Sequence, residues 1–414
     1  MKRLSRGLQF DERLRVHYGF GDGLRALAIL LIVLFHAHVE IVPQLRFHRI
    51  NLFVPLLDDL GRLPVAMFFV LSGFLLSRPF LGALLDARTL PSFGHFWLAR
   101  VLRIYPLYAF AVIAVAIVDV LCMHQSLSAA DLLTHLTFTH TLFEATAETI
   151  AGPFWTMAID AQFYLLLPFL AAAAAAFTRR MSVAGRIEFI AAASLGILFL
   201  NAVVRFLLLL SVRVPVSTSL EKVLIKNIWG VLGMFLLGAL VQLWTMFAGN
   251  VSSDERHRLA RRAFTAGALV LAFHIVGTVL HLHGAAGYVT FRDKLWGAVE
   301  DPIAGLGCAL LVLGFSAHPE ALVARALSSP PAVAFAVLSY AMYLFHSTVL
   351  KAMSPLFGSL PANAGFLVLF VSGLMVVLPI AYATHHTIEL PFLRIKEKLR
   401  RGVPTSRATA VDLR

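Results

Sequence analysis

Apolar runs of about twenty residues, separated by short polar stretches, repeat along the chain from residue 24 to residue 386. At about 1.5 Å of rise per residue, a helix of that length crosses a hydrocarbon core about 30 Å thick. Ten spans are predicted, at about 24–42, 62–80, 104–122, 157–177, 187–210, 227–247, 263–283, 302–317, 331–352 and 364–386. Helices are expected throughout, because a chain in lipid has to satisfy its own backbone hydrogen bonds. The expected fold is therefore all-α, a polytopic integral membrane protein with about ten transmembrane helices. Its parts would be an N-terminal segment at 1–23, one membrane domain at 24–390 and a basic tail at 391–414, disordered from about Arg401 onward.

Composition removes the soluble alternatives. Of the 414 residues, 59% are hydrophobic and 14% charged, which excludes a string of two or three soluble domains. A net charge of +12 would suit nucleic acid if it were clustered on one surface. Here the Lys and Arg fall in short loops between spans, on every second side, while the loop at about 123–153 holds none. That is the positive-inside pattern, and it sets both termini in the cytoplasm, with no nucleic-acid partner expected. The start MKRLSRGLQFDERLRVH is polar and basic, so no cleavable signal peptide is expected. Cys122 and Cys308 lie in or beside different apolar runs and give neither a disulfide framework nor a zinc cluster. The Ala-, Leu- and Arg-rich usage suits the plasma (inner) membrane of a bacterium with a GC-rich genome.

Ionisable residues inside the runs are the next signal. In the first span, Asp22-Gly-Leu-Arg25 is followed by His36. That spacing puts Arg25 and His36 about 16 Å apart along a helix and about 20° apart around it. Two readings fit: an inner-surface anchor with a tolerated histidine, or a functional stripe, since ionisable groups within membranes are functional by default. Arg100 and Arg103 are i,i+3 neighbours at the cytoplasmic mouth of the third span, where paired guanidinium forks suit a polyphosphate or lipid headgroups. Ser72-Gly73 reads as a small-residue patch for close helix contact. In the fourth span Trp155 reads as an interfacial anchor, with Asp160 about one turn inside and Tyr164 a turn further on the same face. Asp160 needs a partner. It is expected either to hold the tautomer of His36, at similar depth, or to cap its own helix.

Ser339, Tyr343 and His346 share a face of the ninth span, for chemistry or for packing. Glu389 closes the tenth span as an ion-pair or capping residue, and Arg205 is expected to snorkel from the fifth. No metal is expected, because His124, His135, His140, His281 and His283 come without a cysteine partner or a zincin spacing.

Taken in order, these stretches resemble the acyltransferase 3 family of membrane-bound O-acyltransferases. The resemblance is carried by Asp22-Gly-Leu-Arg25 with His36, Phe68-Phe-Val-Leu-Ser-Gly-Phe74, and Arg100-x-x-Arg103-Ile-x-Pro106. Trp155 through Pro168, Ser339-Tyr-x-x-Tyr343-Leu-x-His346 and Ile388-Glu389-x-Pro391 continue it downstream. One departure is Asp160-Ala161, where the family has Glu and often a second Glu. The extracytoplasmic esterase-like domain of some relatives is not expected here. The resemblance implies acetyl-CoA or another acyl-CoA as cytosolic donor, and a hydroxyl of a glycan, glycolipid or glycosylated small molecule as acceptor. It implies that Arg25, Arg100 and Arg103 hold the CoA phosphates. His36 would be the general base, or a relay that carries the acyl group on its imidazole, with Asp160 to orient or charge-balance it. Trp155, Tyr164, Tyr343 and His346 are expected to contact substrate, and the lipid bilayer is the remaining partner.

Two other classes fit parts of the pattern. A transporter or flippase of a glycan or lipid intermediate also uses intramembrane Arg, His and Asp, but has no reason to bind acyl-CoA. A catalytically inactive relative would accommodate the Asp160-Ala161 departure.

Overall fold

A computed structural model describes residues 12–41, 53–211, 227–282 and 290–401. The tail expected to be disordered lies outside them, apart from Arg401, as do His283 and residues 1–11 of the N-terminal segment. Among the described residues there is no strand, and ten helices are long and apolar enough to cross a membrane. In chain order the helices are α1 (Glu12–Ile41), α2 (Phe53–Leu85), α3 (Phe93–Leu121), the short α4 (Ala129–Leu136) and α5 (Trp155–Thr178). There follow α6 (Val183–Ser211), α7 (Ile228–Thr245), α8 (Ser253–Leu282), α9 (Phe291–Ala317) and the short α10 (Leu322–Leu327). The last are α11 (Pro330–Met353), α12 (Ala362–Thr384) and, after a π turn at His385–Glu389, α13 (Leu390–Arg401).

Five helices begin about ten residues ahead of their apolar runs, three of them at a polar cap. The Ser92 hydroxyl accepts from the His95 amide at the start of α3. Ser252 and Glu255 cap each other's amides before α8, and Thr290 and Asp293 do so before α9. Hydropathy marks the stretch that lipid requires, whereas caps mark where the backbone starts to turn. Arg100 and Arg103 consequently sit inside α3 rather than ahead of it, and Pro106 is an internal residue of that helix.

Two hydrophobic cores form the bundle. One joins α2, α5, α7 and α9 around Phe69, Phe74, Phe163 and Phe235. The other joins α3, α11 and α12 around Tyr108, Val112, Met342 and Leu350. α1 belongs to both: Phe20 and Leu24 enter the first, and Ile29, Ile32, Val33 and Ala37 the second. The helix that carries Arg25 and His36 is thus the seam between two halves.

The Ser72-Gly73 patch is a close crossing, as expected. A Cβ on Gly73 would collide with the Phe235 carbonyl of α7, and one on Gly238 with the Val70 carbonyl of α2. Arg205 departs from expectation. It does not snorkel but is 4% exposed, with Nη1 2.7 Å from Asp301 Oδ2 and Nη2 donating to the Gly297 carbonyl at 2.8 Å. Arg62 completes this group through Glu300 at 2.6 Å. A carboxylate one helix away is a better partner than a distant headgroup layer.

Candidate active site

The depth of α5 in the bundle is set by the segment between α3 and α5. His135, His140 and Phe154 are fully buried, and the His135 and His140 rings stack 4.0 Å apart. The Tyr108 hydroxyl donates to the His135 carbonyl, and Gln162 of α5 donates to Thr141. The chain therefore folds back into the bundle before α5 starts, which non-helical backbone tolerates only when protein surrounds it. Trp155, expected at the interface, packs instead against Phe69 of α2, with ring centroids 6.1 Å apart.

Levels along the bundle derive from that contact. Gly61 of α2 faces Phe35 of α1. Running away from that point, Ser72 on α2 and Arg25 on α1 both lie about 16 Å along. Phe69, and with it Trp155, lies about 12 Å along, so Asp160, a turn and a half further into α5, reaches the Ser72–Arg25 level. The neighbours agree: the Asp160 carboxylate sits in the field of Arg25 and beside the Ser72 hydroxyl. Its Oδ1 is buried without a hydrogen-bond partner. The cation nearest in influence to Asp160 is thus Arg25, with no ion pair formed between them, where the sequence suggested His36 as partner. As the sixth residue of α5, Asp160 is also past the positions that cap a helix.

His36 meets His346 instead, ring edge to face with centroids 4.8 Å apart. His36 Nδ1 lies 3.0 Å from the Ile32 carbonyl, and His346 Nδ1 lies 2.7 Å from the Tyr343 carbonyl. A carbonyl only accepts, so each neutral ring carries its proton on Nδ1 and keeps the lone pair on Nε2. His346 is fully buried and its Nε2 has no hydrogen-bond partner, whereas His36 is half-buried.

Between the histidines and Asp160 stands Tyr343. Its hydroxyl donates to the Pro153 carbonyl at 2.9 Å and accepts from Thr156 at 2.7 Å, which ties α11 to the start of α5. Ser339, on the same face, turns its hydroxyl back onto the Ala336 carbonyl of its own helix.

At the far end three arginines gather around Tyr164. Arg25, Arg100 and Arg103 lie within one another's fields and that of the Tyr164 hydroxyl. Trp97 holds this corner by donating its indole N–H to the Tyr164 carbonyl at 3.0 Å. Arg25 Nη1 is 3.3 Å from Asp22 Oδ1, and Arg103 Nη1 is 2.9 Å from Glu389 Oε1. Arg100 differs. Among the described residues it has no carboxylate partner; its guanidinium lies near the Phe96 ring and its Nε is buried without a hydrogen bond.

These side chains form one polar file through an apolar bundle: three arginines and Tyr164, then Asp160 with Ser72, then Tyr343 with Thr156, then His346 and His36. The file passes from α3 and α5 to α11 and α1, so no single helix encodes it. Sequence reasoning favoured packing over chemistry for Ser72 and missed Thr156, Tyr340 and His385. Tyr340, which donates to the Ile104 carbonyl at 2.7 Å, precedes Tyr343 and His346 at strict three-residue spacing, a signal that was present in the sequence. A cleft of about 330 Å³ lined by Asp254, His257, Arg258, Arg261 and His318 lies on the exposed start of α8 and shares no residue with the file. Among the described residues no group of three or more His, Cys, Asp or Glu is placed to hold a metal ion.

No curated protein and no solved structure matches the chain. A family model described as an acyltransferase domain, that of acyltransferase 3, matches residues 19–386, a stretch that contains every residue of the file from Arg25 to His346.

Proposed function

The chain belongs to the acyltransferase 3 family and is a multi-pass membrane acyltransferase; from that premise we propose that it moves an acyl group, in the simplest case acetyl, from acyl-CoA to a hydroxyl of a glycan, glycolipid or glycosylated small molecule. The observation that carries this reading is the polar file itself. An arginine cluster at one end and an imidazole with its lone pair on Nε2 about 16 Å away match a donor that has phosphates at one end and a thioester at the other. With the arginine end in the cytoplasm of a bacterial inner membrane, Arg100, Arg103 and Arg25 would receive the CoA phosphates. The pantetheine arm would run past Tyr164, Asp160 and Tyr343 toward His36.

The tautomer dictates the acyl step. His36 Nε2 takes the proton of the acceptor hydroxyl as its oxygen attacks the thioester carbonyl. The carbonyl re-forms as the C–S bond breaks, and the proton passes to the leaving thiolate, giving the ester and free CoA. The backbone bond from Nδ1 to Ile32 keeps the basic nitrogen facing away from its own helix.

The test is CoA release by purified membranes supplied with acetyl-CoA and their native glycans, wild type beside His36→Ala at matched expression. Loss of a general base is expected to lower turnover about 10²- to 10⁴-fold. Full turnover in His36→Ala would remove the proposed base. A wild type that neither binds nor consumes acetyl-CoA would leave the transporter or an inactive relative.

A further inference from the structure

The tenth span does not leave the bundle as a plain helix. α12 ends at Thr384, the chain makes one π turn at His385–Glu389, and α13 comes next. Such a turn widens the helix by one residue and re-aims every side chain after it, and π turns recur at functional sites. Here it delivers a three-member chain. His385 Nδ1 lies 2.8 Å from Glu389 Oε2, and Glu389 Oε1 lies 2.9 Å from Arg103 Nη1. His385 and Glu389 are each only 2% exposed, while Arg103 is half-buried at the arginine end of the file. The carboxylate is therefore held from both sides, by a hydrogen bond from the imidazole N–H at Oε2 and by an ion-pair contact with the guanidinium at Oε1, which takes no hydrogen bond.

Arg103 needs such a hold. It shares its field with Arg25 and Arg100, and a long, half-exposed cation beside two like charges moves toward water unless something retains it. An ion pair through one Nη leaves the other donors of the fork to meet a second anion, whose direction the pairing then dictates. Arg100, with no carboxylate of its own among the described residues, supplies the uncompensated charge next to it.

We propose that Glu389, steadied by His385, is a positioning residue for the donor: it fixes the Arg103 guanidinium so that its remaining N–H groups meet a phosphate of acyl-CoA alongside Arg100. The role rests on acyl-CoA being the donor, as proposed for the file. It accounts for the π turn, for the burial of a histidine–carboxylate pair, and for an arginine that is paired yet still faces the file.

The experiment measures binding of CoA to the purified full-length protein in detergent by calorimetry. Glu389→Gln, which keeps the shape and removes the charge, is expected to weaken CoA binding about tenfold, the lower range for loss of a residue that orients a ligand-binding group. In an Arg103→Gln background the same substitution is expected to add nothing, because Glu389 acts through Arg103. An unchanged Kd in Glu389→Gln overturns the proposal. So does tighter binding, which would make the carboxylate a mere offset to the arginine's charge. A further tenfold loss on top of Arg103→Gln also overturns it, since a purely structural role would act regardless of Arg103. Should Glu389→Gln fail to fold, Glu389→Asp, which withdraws the charge by one methylene, carries the same expectations. Arg100→Gln separates the levels. If Arg100→Gln and Arg103→Gln both bind CoA as wild type does, the donor reading falls and the positioning role with it. If both lose CoA while Glu389→Gln does not, the positioning role falls alone.

Discussion

The neighbours of an intramembrane carboxylate depend on where its helix begins. Asp160 faces Arg25 and Ser72 because the preceding segment tucks inward and starts α5 beside Phe69. Arg25 has its ion pair with Asp22, 3.3 Å away, and Asp160 stands in its field without an ion pair of its own, so the burial of the Asp160 carboxylate is offset only in part. Asp160→Asn, which keeps the shape and removes the charge, is expected to leave stability within about 1 kcal/mol, because burial of the carboxylate opposes the attraction of Arg25. Thermal unfolding in detergent checks this, and a clearly lowered midpoint would show that the attraction of Arg25 outweighs the burial. At this scale the sequence was legible wherever one helix held both residues. The Arg25–His36 spacing is set by helical geometry alone. Its neighbours across helices were not legible, because the Asp160–Arg25 and His36–His346 contacts depend on register between segments far apart in the chain.

Element by element, the small residues are the most readable feature. Gly73 and Gly238 each face the other helix's backbone carbonyl, so α2 and α7 touch without side chains between them. Gly73→Ala would push a methyl into the Phe235 backbone, which cannot yield as a side chain can. Overpacking of this kind is expected to cost about 1–3 kcal/mol, read as a lower unfolding midpoint. A neutral result would mean that the helices part without penalty.

The segment carrying α4 supplies a pH-dependent counterpart. Burial, reinforced by the neighbouring His135, pushes the His140 imidazole down to about 3. An unfolded histidine titrates near 6.5, so below that pH the open segment takes up a proton that the packed one refuses. The stabilisation is therefore complete above about pH 6.5 and is lost progressively as the pH falls toward 3. Amide protection factors across residues 129–142 are expected to drop between pH 7 and pH 5, and to drop less in His140→Phe, where the buried His135 alone resists protonation. Constant protection in the wild type would show that His140 stays packed when charged.

For the molecule as a whole, the ten spans were legible because lipid imposes their length. Which helices touch was not, since lipid and neighbouring protein accept the same side chains. Phe199 is 72% exposed and Phe235 fully buried, yet nothing in their local sequence separates them. The six stretches in family order conveyed more than any of them singly, because the file needs α1, α3, α5 and α11 together. Glu389 illustrates what stays partly hidden: the sequence reads it as an ion-pair or capping residue at the end of a span, and the π turn supplies the partner, Arg103.

A file of polar groups through a bilayer is also an electrical hazard, since protons hop along any unbroken chain of donors and acceptors. Tyr343 breaks that chain. Its one hydroxyl hydrogen is engaged with Pro153, and Thr156 occupies one of its lone pairs. The groups on either side, Asp160 and the histidine pair, are thereby insulated from each other. Polar groups can thus line an apolar bundle from Arg25 to His346 while the membrane around them stays charged.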